Sequence, residues 1–335
     1  MPKERFKNMA ASIRHWCGVA RYRLIHPDAH RKYREHITEY FARLEEEFVP
    51  MRLGVYMQHE PRAPYIERFP RGHGSPGKLS IAIVTPSYNQ GKFVGNTAKS
   101  VLDQNHPNVR YAVMDGGSQD ESRQVIAEYA PRLSAFVSEK DAGQSDAIKK
   151  GFSMVAGDIM AYLNSDDMLM PGVLACVEEY FKNHEDVHVV YGHRIIIDEN
   201  GQQIGRWVVP PHSDTDVRYF DYIPQETMFW RKRIWEKIGG VDPKFQFAMD
   251  WDLILRFIGA GAKFRRLPLF MAYFRAHGAQ KSHTMSTTSG ERETKEILDR
   301  VHPGGMDRRE FVSVYRSYRR RAAISSVLLN LGIRI

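Results

Sequence analysis

Ala161-Tyr162-Leu163-Asn164-Ser165-Asp166-Asp167 runs an apolar strand straight into two adjacent carboxylates. Two like charges at the end of a buried strand repel each other and lose hydration, so the arrangement is costly unless a cation neutralises it. Hard divalent ions take oxygen ligands, and Mg²⁺ is commonly held by one or two protein carboxylates while substrate phosphates complete its shell. The pair therefore points to Mg²⁺ or Mn²⁺ together with a nucleotide diphosphate. The competing reading is local: Asp166 or Asp167 caps a helix beginning near Pro171, since Asp is a favoured N-cap and Pro a favoured first-turn residue.

Working outward, Ile81 to Asn89 reads as a buried β-branched strand ending in a polar turn, and Phe93 to Leu102 has the spacing of an amphipathic helix. Arg110 to Met114 is a second strand, and it leads into Asp115-Gly116-Gly117-Ser118-Gln119-Asp120, where glycines let backbone approach a ligand closely. Residues Glu121 to Tyr129 then take a helical pattern. Strand, helix, strand, helix is the order of a parallel α/β sheet, in which ligands sit at the carboxyl ends of the strands. The stretches Thr85 to Asn89, Asp115 to Asp120 and Ser165 to Asp167 all fall at such ends, a convergence that capping alone does not produce.

These residues resemble the family 2 inverting glycosyltransferases of the GT-A fold. The resemblance covers roughly Lys78 to Ser282 and rests on six motifs in order: Thr85-Pro86-Ser87-Tyr88-Asn89, Asp115-Gly116-Gly117-Ser118, Glu139 to Ala147, Leu163-Asn164-Ser165-Asp166-Asp167, Gln225 to Trp230 and Met249-Asp250-Trp251-Asp252-Leu253. Each is weak alone, and the ordered set is specific. It implies a Rossmann-like nucleotide-binding half with a mixed central sheet flanked by helices. Two departures stand out. Lys149 takes the place where the family leads one to expect a small amide, and Asn164-Ser165-Asp166 replaces a full acid-any-acid triplet, which leaves Asp167 as the favoured metal ligand, expected to face solvent.

The resemblance also implies roles. Asp115 would accept a hydrogen bond from the nucleotide base, with Tyr88 or Pro86 against the base face and Asn89 at the same strand end, although an acid before two glycines is equally an ordinary turn residue. Asp141 and Asp146 frame a turn before a helix from about Ala147 to Met154 whose amides face phosphate, while Ser145 and Asp146 also read as N-caps. Asp166 would support the nucleotide through ribose and water contacts. Asp250 precedes the apolar helix Leu253 to Ile258 and takes the position that the family reserves for the catalytic carboxylate. Asp252 and Arg256, four apart, read as a surface ion pair. Gln225, Glu226 and Trp230 would line an acceptor pocket, with Trp230 equally suited to the core. His277, ending a strand-like run from Tyr273, either completes the metal or diphosphate site or is a solvated loop histidine. One base and no nucleophilic carboxylate imply a single displacement with inversion at the anomeric carbon.

Composition agrees with this reading. The chain has 335 residues, 42% of them hydrophobic, a net charge of +8 and two cysteines, Cys17 and Cys176, which form neither a metal spacing nor a disulfide framework. A reducing, cytoplasmic setting is expected, since no apolar run is long enough to span a bilayer and the basic N-terminus lacks a signal-peptide core. The charge suggests an anionic partner: a nucleotide-diphosphate sugar, anionic lipid or acidic polymer. Nucleic acid is not expected, because no basic stripe interleaved with aromatics accompanies the charge. Residues 1–77 read as a basic helical extension with helical patterning at 10–24 and 31–48. Residues 78–283 form the transferase domain, with a nucleotide-sugar half at 78–167 and an acceptor half at 168–283, and residues 284–335 a second basic helical extension. The last combines Arg316, Arg319, Arg320 and Arg321 with the apolar segment Ala322 to Leu331, which lies on an anionic membrane surface, packs on its own domain or pairs with another chain.

Among rival classes, a dehydrogenase lacks its Gly-x-Gly-x-x-Gly run after the first strand, and a nucleotidyltransferase lacks a long basic phosphate loop at Pro86 to Gln90. A non-catalytic binding module of the same ancestry predicts loss of the metal acids or the base, yet Asp166, Asp167 and Asp250 are all present. The expected acceptor is a glycan or a lipid-linked glycan, in surface polysaccharide synthesis.

Overall fold

A computed structural model describes residues 56–69, 78–278, 280 and 290–334. The helical patterning read at 10–24 and 31–48 lies outside the described residues. One mixed sheet of ten strands organises the rest. Its centre is β2 (Ile81–Ser87), buried at every position, between β3 (Val109–Asp115) and β5 (Ile159–Tyr162), both parallel to it, with β4 (Ala135–Ser138) parallel to β3. Strands buried on both faces read as unbroken apolar runs, as β2 and β5 do. The crossovers are α1 (Gly91–Leu102), α2 (Ser122–Tyr129) and α3 (Gln144–Met154), as the periodicity predicts to within a turn.

Beyond β5 the sheet turns antiparallel. A two-residue strand β6 (Met168–Leu169) precedes α4 (Val173–Asn183), and β7 (Val189–Ile197), β8 (Gln203–Trp207) and β9 (Phe229–Arg231) follow, β9 bridging β5 and β7. The short α5 (Asp214–Val217) lies between β8 and β9, and α6 (Lys232–Ile238) and α7 (Met249–Gly259) lie after β9. The long β10 (Phe264–Arg275) runs parallel to β7 and pairs antiparallel with β6. Within the stretch read as a helical extension, β1 (Tyr56–Arg62) is instead a strand, antiparallel to β8 at the sheet edge.

Helix α4 is entered through Gly172 in the left-handed region (φ 88°), with no side-chain cap. The two-residue strand β6 separates it from Asp166 and Asp167, so neither acid caps it. Gly143 (φ 108°), not Ser145 or Asp146, begins α3; the Ser145 hydroxyl donates instead to the Phe245 carbonyl at 2.8 Å. The Asp252–Arg256 pair exists at 2.7 Å, yet Asp252 is fully buried and also meets Arg300 at 2.7 Å, so it ties α7 to the C-terminal helix α8 (Glu291–Val301) instead of decorating a surface. Helix α9 (Arg308–Asn330) packs Phe311, Tyr318 and Ala322 on the same core. Cys176 is a half-buried free thiol, pushed up to about 11 by burial.

Packing of α3 on the sheet is close because Gly151 carries no side chain: a Cβ there would lie 2.4 Å from Val84 Cγ1. Gly151→Ala should therefore lose about 1–3 kcal/mol to overpacking, more than the roughly 1 kcal/mol that alanine returns in helix propensity. Urea unfolding measures the balance, and a net gain in stability would show that α3 is free to move off the sheet.

Candidate active site

The strand ends open on one cleft of about 940 Å³, within the range of small-molecule sites. One wall carries Pro86 and Tyr88 after β2, Gly116 and Gly117 after β3, Lys140, Asp141 and Gly143 before α3, and Asn164 to Asp167 after β5. The facing wall carries Gln225 and Glu226 before β9, Gln246, Phe247 and Asp250 around the start of α7, and Arg194, Trp207 and Phe274 from β7, β8 and β10. Tyr88 is 59% exposed at the rim, a flat ring available for stacking. Gly116 lies against Asp141: a Cβ there would meet Oδ2 at 2.9 Å and displace that carboxylate. Asp141 in turn accepts from the Gly143 amide at 2.8 Å, which shapes the turn into α3.

The two acids at the end of β5 are not equivalent. Thr97 of α1 donates its hydroxyl to the Ser165 and Asp167 carbonyls at 2.8 and 2.7 Å, anchoring the turn. Asp167, expected to face solvent, is buried, and its Oδ1 accepts from the Arg275 amide at 3.1 Å. Burial, the neighbouring Asp166 charge and the Glu226 charge all push its carboxyl well above the usual range, only partly opposed by the Arg275 amide and Arg194. Asp166 is the more open of the two, with Oδ2 3.0 Å from His277 Nε2. The His277 ring tilts against Phe93 with centroids 4.7 Å apart, and the Arg275 guanidinium lies 4.9 Å from the same Phe93 ring while donating to the Asp166 carbonyl at 3.1 Å. A structural constraint, not solvation, thus places the predicted histidine at the predicted acid.

No group of three or more His, Cys, Asp or Glu side chains gathers as a ready-made metal cage among the described residues. Asp166 and Asp167 line the cleft and His277 stands against Asp166 outside the lining; two carboxylates are the oxygen donors that a hard ion takes, with water and phosphate completing its shell.

The other residues singled out from the sequence are placed as follows. Asp115 is buried and its carboxylate is taken up by Ser118 and Ser138: Ser138 Oγ donates at 2.6 Å, the Ser118 amide at 3.1 Å, and the Ser118 hydroxyl also donates to it. It braces the loop, and Gly116 and Gly117 form the cleft wall. Asn89 is likewise spent on loop structure: its amide donates to Ser118 Oγ at 2.8 Å and its Oδ1 accepts from the Gln119 amide at 2.9 Å. Asp146 faces Lys150 at 3.2 Å and accepts from the Ala142 amide, which with the lysine lowers its pKa, and it does not line the cleft. Trp230 belongs to the core. It is fully buried, stacked on Trp235 at 5.6 Å, and absent from the cleft lining because β9 pairs it into the sheet. Lys149 is exposed and stands off the cleft.

Asp250 lies in the first turn of α7, whose N-cap is Ala248, and its carboxylate accepts from the Trp251 amide at 3.0 Å at the cleft wall. Gln225 donates to the Tyr162 carbonyl at 2.8 Å, linking the facing wall to the end of β5. Glu226 makes a buried ion pair with Arg194 at 3.2 Å. Sequence reasoning missed Arg194, whose guanidinium is sandwiched between Trp207 and Phe274 at 4.2 and 4.4 Å. The available signal was a lone arginine inside the apolar strand Val189 to Ile197.

The burial of Asp167 has a measurable sign. A carboxyl whose folded-state pKa is raised costs stability as pH rises from its ordinary value, 3.8, through the raised one, and the cost is constant above that. Asp167→Asn keeps the acceptor for the Arg275 amide and cannot ionise. Without added metal, the variant should gain on the wild type as pH increases over this window, then hold a constant advantage. Parallel denaturant stabilities across pH would show that Asp167 is charged at no cost.

Comparison with known proteins agrees with this geometry. Residues 82–242 match the family model described as Glycosyl transferase family 2. An uncharacterized glycosyltransferase of Nostoc sp. is 28% identical over 232 residues, covering 65% of this chain and 71% of the relative. A PGL/p-HBAD biosynthesis glycosyltransferase of Mycobacterium bovis is 26% identical, covering 52% and 68%. The chondroitin synthase of Escherichia coli is 25% identical over 54% of this chain and 27% of its own length. The crystal structure of S. aureus TarS in complex with UDP-GlcNAc superposes with a TM-score of 0.55 at 13% identity over 72% of each chain, a likeness of fold. The parallel-then-antiparallel sheet, the cleft at its strand ends and these matches make the chain a transferase enzyme with the GT-A fold, similar over residues 82–242 to glycosyl transferase family 2.

Proposed function

We propose that the cleft transfers a sugar from a nucleotide diphosphate donor, a UDP-sugar by preference, to a hydroxyl of a glycan or lipid-linked acceptor in surface polysaccharide synthesis. The observation that carries the reading is the meeting of Tyr88, Gly116, Gly117 and Asp166 on one wall with Asp250 on the other, around a single cavity. Pro86 and Tyr88 offer a face for the nucleotide base, and the glycines admit its backbone. The amides at the start of α3, beside Lys140, suit the diphosphate. Uridine rests on the family resemblance and accords with the UDP-GlcNAc held by TarS. The acceptor class accords with the activity named for the chondroitin synthase relative.

Asp166 and His277, with Asp167 behind them, would hold Mn²⁺ or Mg²⁺. When bound, such an ion neutralises charge on the departing diphosphate. Asp250 takes the proton of the acceptor hydroxyl as that oxygen forms its bond to the anomeric carbon and the nucleoside diphosphate leaves with the bonding electrons. A single displacement of this kind inverts the anomeric configuration. Gln225, Glu226, Arg194, Trp207 and Phe274 form the acceptor side, where an aromatic surface beside polar groups suits a sugar ring. Division into a donor half to residue 167 and an acceptor half from 168 follows the same reading.

Screening UDP- and GDP-sugars for diphosphate release, with Mn²⁺ and with chelator, tests the donor and the metal. Asp250→Asn should keep donor affinity while kcat falls by about 10²–10⁴-fold, the usual range for a general base. NMR of the product should show inverted configuration. Retention, or near wild-type kcat in Asp250→Asn, would remove Asp250 from this role.

A further inference from the structure

Seven large apolar side chains are well exposed among the described residues, and five of them belong to two segments that meet: Tyr65 and Ile66 in one, Ile324, Val327 and Ile333 in the other. Arg334 joins the segments by an ion pair to the buried Glu67 at 2.7 Å, and Tyr65 is held from beneath by the Tyr273 hydroxyl, which donates to its carbonyl at 2.9 Å. Past the end of α9, the Ile333 amide folds back to the Leu328 carbonyl at 2.9 Å. Inward, α9 buries Tyr318, Ala322 and Ser325; outward, the same helix shows Arg316 and Arg320, then one turn further Ile324 and Val327. Scattered exposed leucines or isoleucines need no explanation, but a gathered set on a rigid base marks a contact surface.

We propose that this patch, formed by Tyr65, Ile66 and the outer face of the C-terminal half of α9, docks the protein on the surface of an anionic lipid bilayer. Charge selects this occupant. Between Arg316 and Ile335 the sequence holds five arginines and no Asp or Glu; Arg321 and Arg334 are paired with Asp216 and Glu67, and Arg316, Arg319 and Arg320 are exposed. Arg62 and Arg68 flank the other segment, both exposed. Arg62 also lies close enough to the half-buried Arg206 to lower its pKa, after burial itself, a like-charge contact that lipid phosphate would relieve. Arg206 in turn donates to Asn330 at the end of α9. A second copy of the chain in a two-fold contact would bring the same arginines face to face, which is repulsive. A bilayer interface supplies phosphate for the guanidinium groups and acyl chain for the isoleucines, the combination an interfacial amphipathic helix uses.

The contact is peripheral, since no described helix is long and apolar enough to cross a membrane.

The test is co-sedimentation of the full 335-residue chain with vesicles of phosphatidylcholine alone and of phosphatidylcholine mixed with phosphatidylglycerol. Wild type should partition onto the mixed vesicles and lose that partition as salt rises, because the attraction is screened over about 10 Å at moderate ionic strength. Arg316→Glu with Arg320→Glu, and separately Ile66→Glu, should each cut partition by at least about fivefold. Met154→Glu, an exposed apolar residue on α3 away from the patch, should leave it unchanged. Ile66 and α9 lie on different segments, so one variant reports even if the other unfolds. Equal partition of wild type on neutral and mixed vesicles, or equal partition of wild type and both patch variants, overturns the proposal. So does self-association by ultracentrifugation that Ile66→Glu abolishes in the absence of lipid binding, which assigns the patch to a second copy. None of these outcomes depends on the donor or on Asp250.

Discussion

The hydrogen bond from the Arg275 amide to Asp167 Oδ1, 3.1 Å long and sealed from water, ties the end of β5 to the end of β10. It lies just beyond the β6–β10 pairing, which ends at Met168 and Tyr273. Because Asp167 is turned inward to accept this bond, Asp166 is left toward the cleft. Because Arg275 is fixed, its side chain can cover the Asp166 and Glu199 carbonyls and back the Phe93 ring against which His277 leans. Burying a carboxylate beside two others is expensive, and the Arg275 amide and the Arg194 guanidinium offset only part of that expense.

Much of the wall built on β2, β3 and β5 was legible in the chain. Ile81 to Val84 and Ile159 to Tyr162 are apolar at successive positions, which only a strand covered on both faces requires, and the turns that follow them had to be the ligand-facing ends. The roles of individual acids were less legible. Asp115, Asn89 and Asp146 sit in the same motifs as the cleft residues, but a carboxylate or amide in a turn can satisfy backbone and hydroxyl donors as readily as a ligand, and spacing does not distinguish the two. Their partners, Ser118, Ser138, Gln119 and Lys150, are visible only once the loops are folded.

The facing wall was harder to read for a different reason. Arg194, Trp207 and Phe274 come from β7, β8 and β10, and their meeting depends on non-local pairing, antiparallel between β7 and β8 and parallel between β7 and β10. No local pattern announces that three strands will place a cation between two rings. Trp230 shows the converse: it stands in a motif with Gln225 and Glu226, yet strand alternation sends it to the core with Trp235 and Phe257. Likewise the basic C-terminal segment packs on its own domain through Phe311, Tyr318 and Ala322, an outcome its composition left open.

The β10 strand bonds β7 along one edge and β6 along the other, and the sheet continues without a break from β1 to β4. Both banks of the cleft therefore hang from one hydrogen-bonded frame. Swinging one bank toward the other would break several ladder bonds in series, each worth about 1 kcal/mol, with no hinge at which to concentrate the bend. Room for adjustment is left at the rim, at Tyr88 and the loop from Lys140 to Gly143. A frame of this kind separates inheritance from invention: loops can be lengthened or rewritten for a new sugar while the sheet that orients them passes unchanged from one descendant to the next.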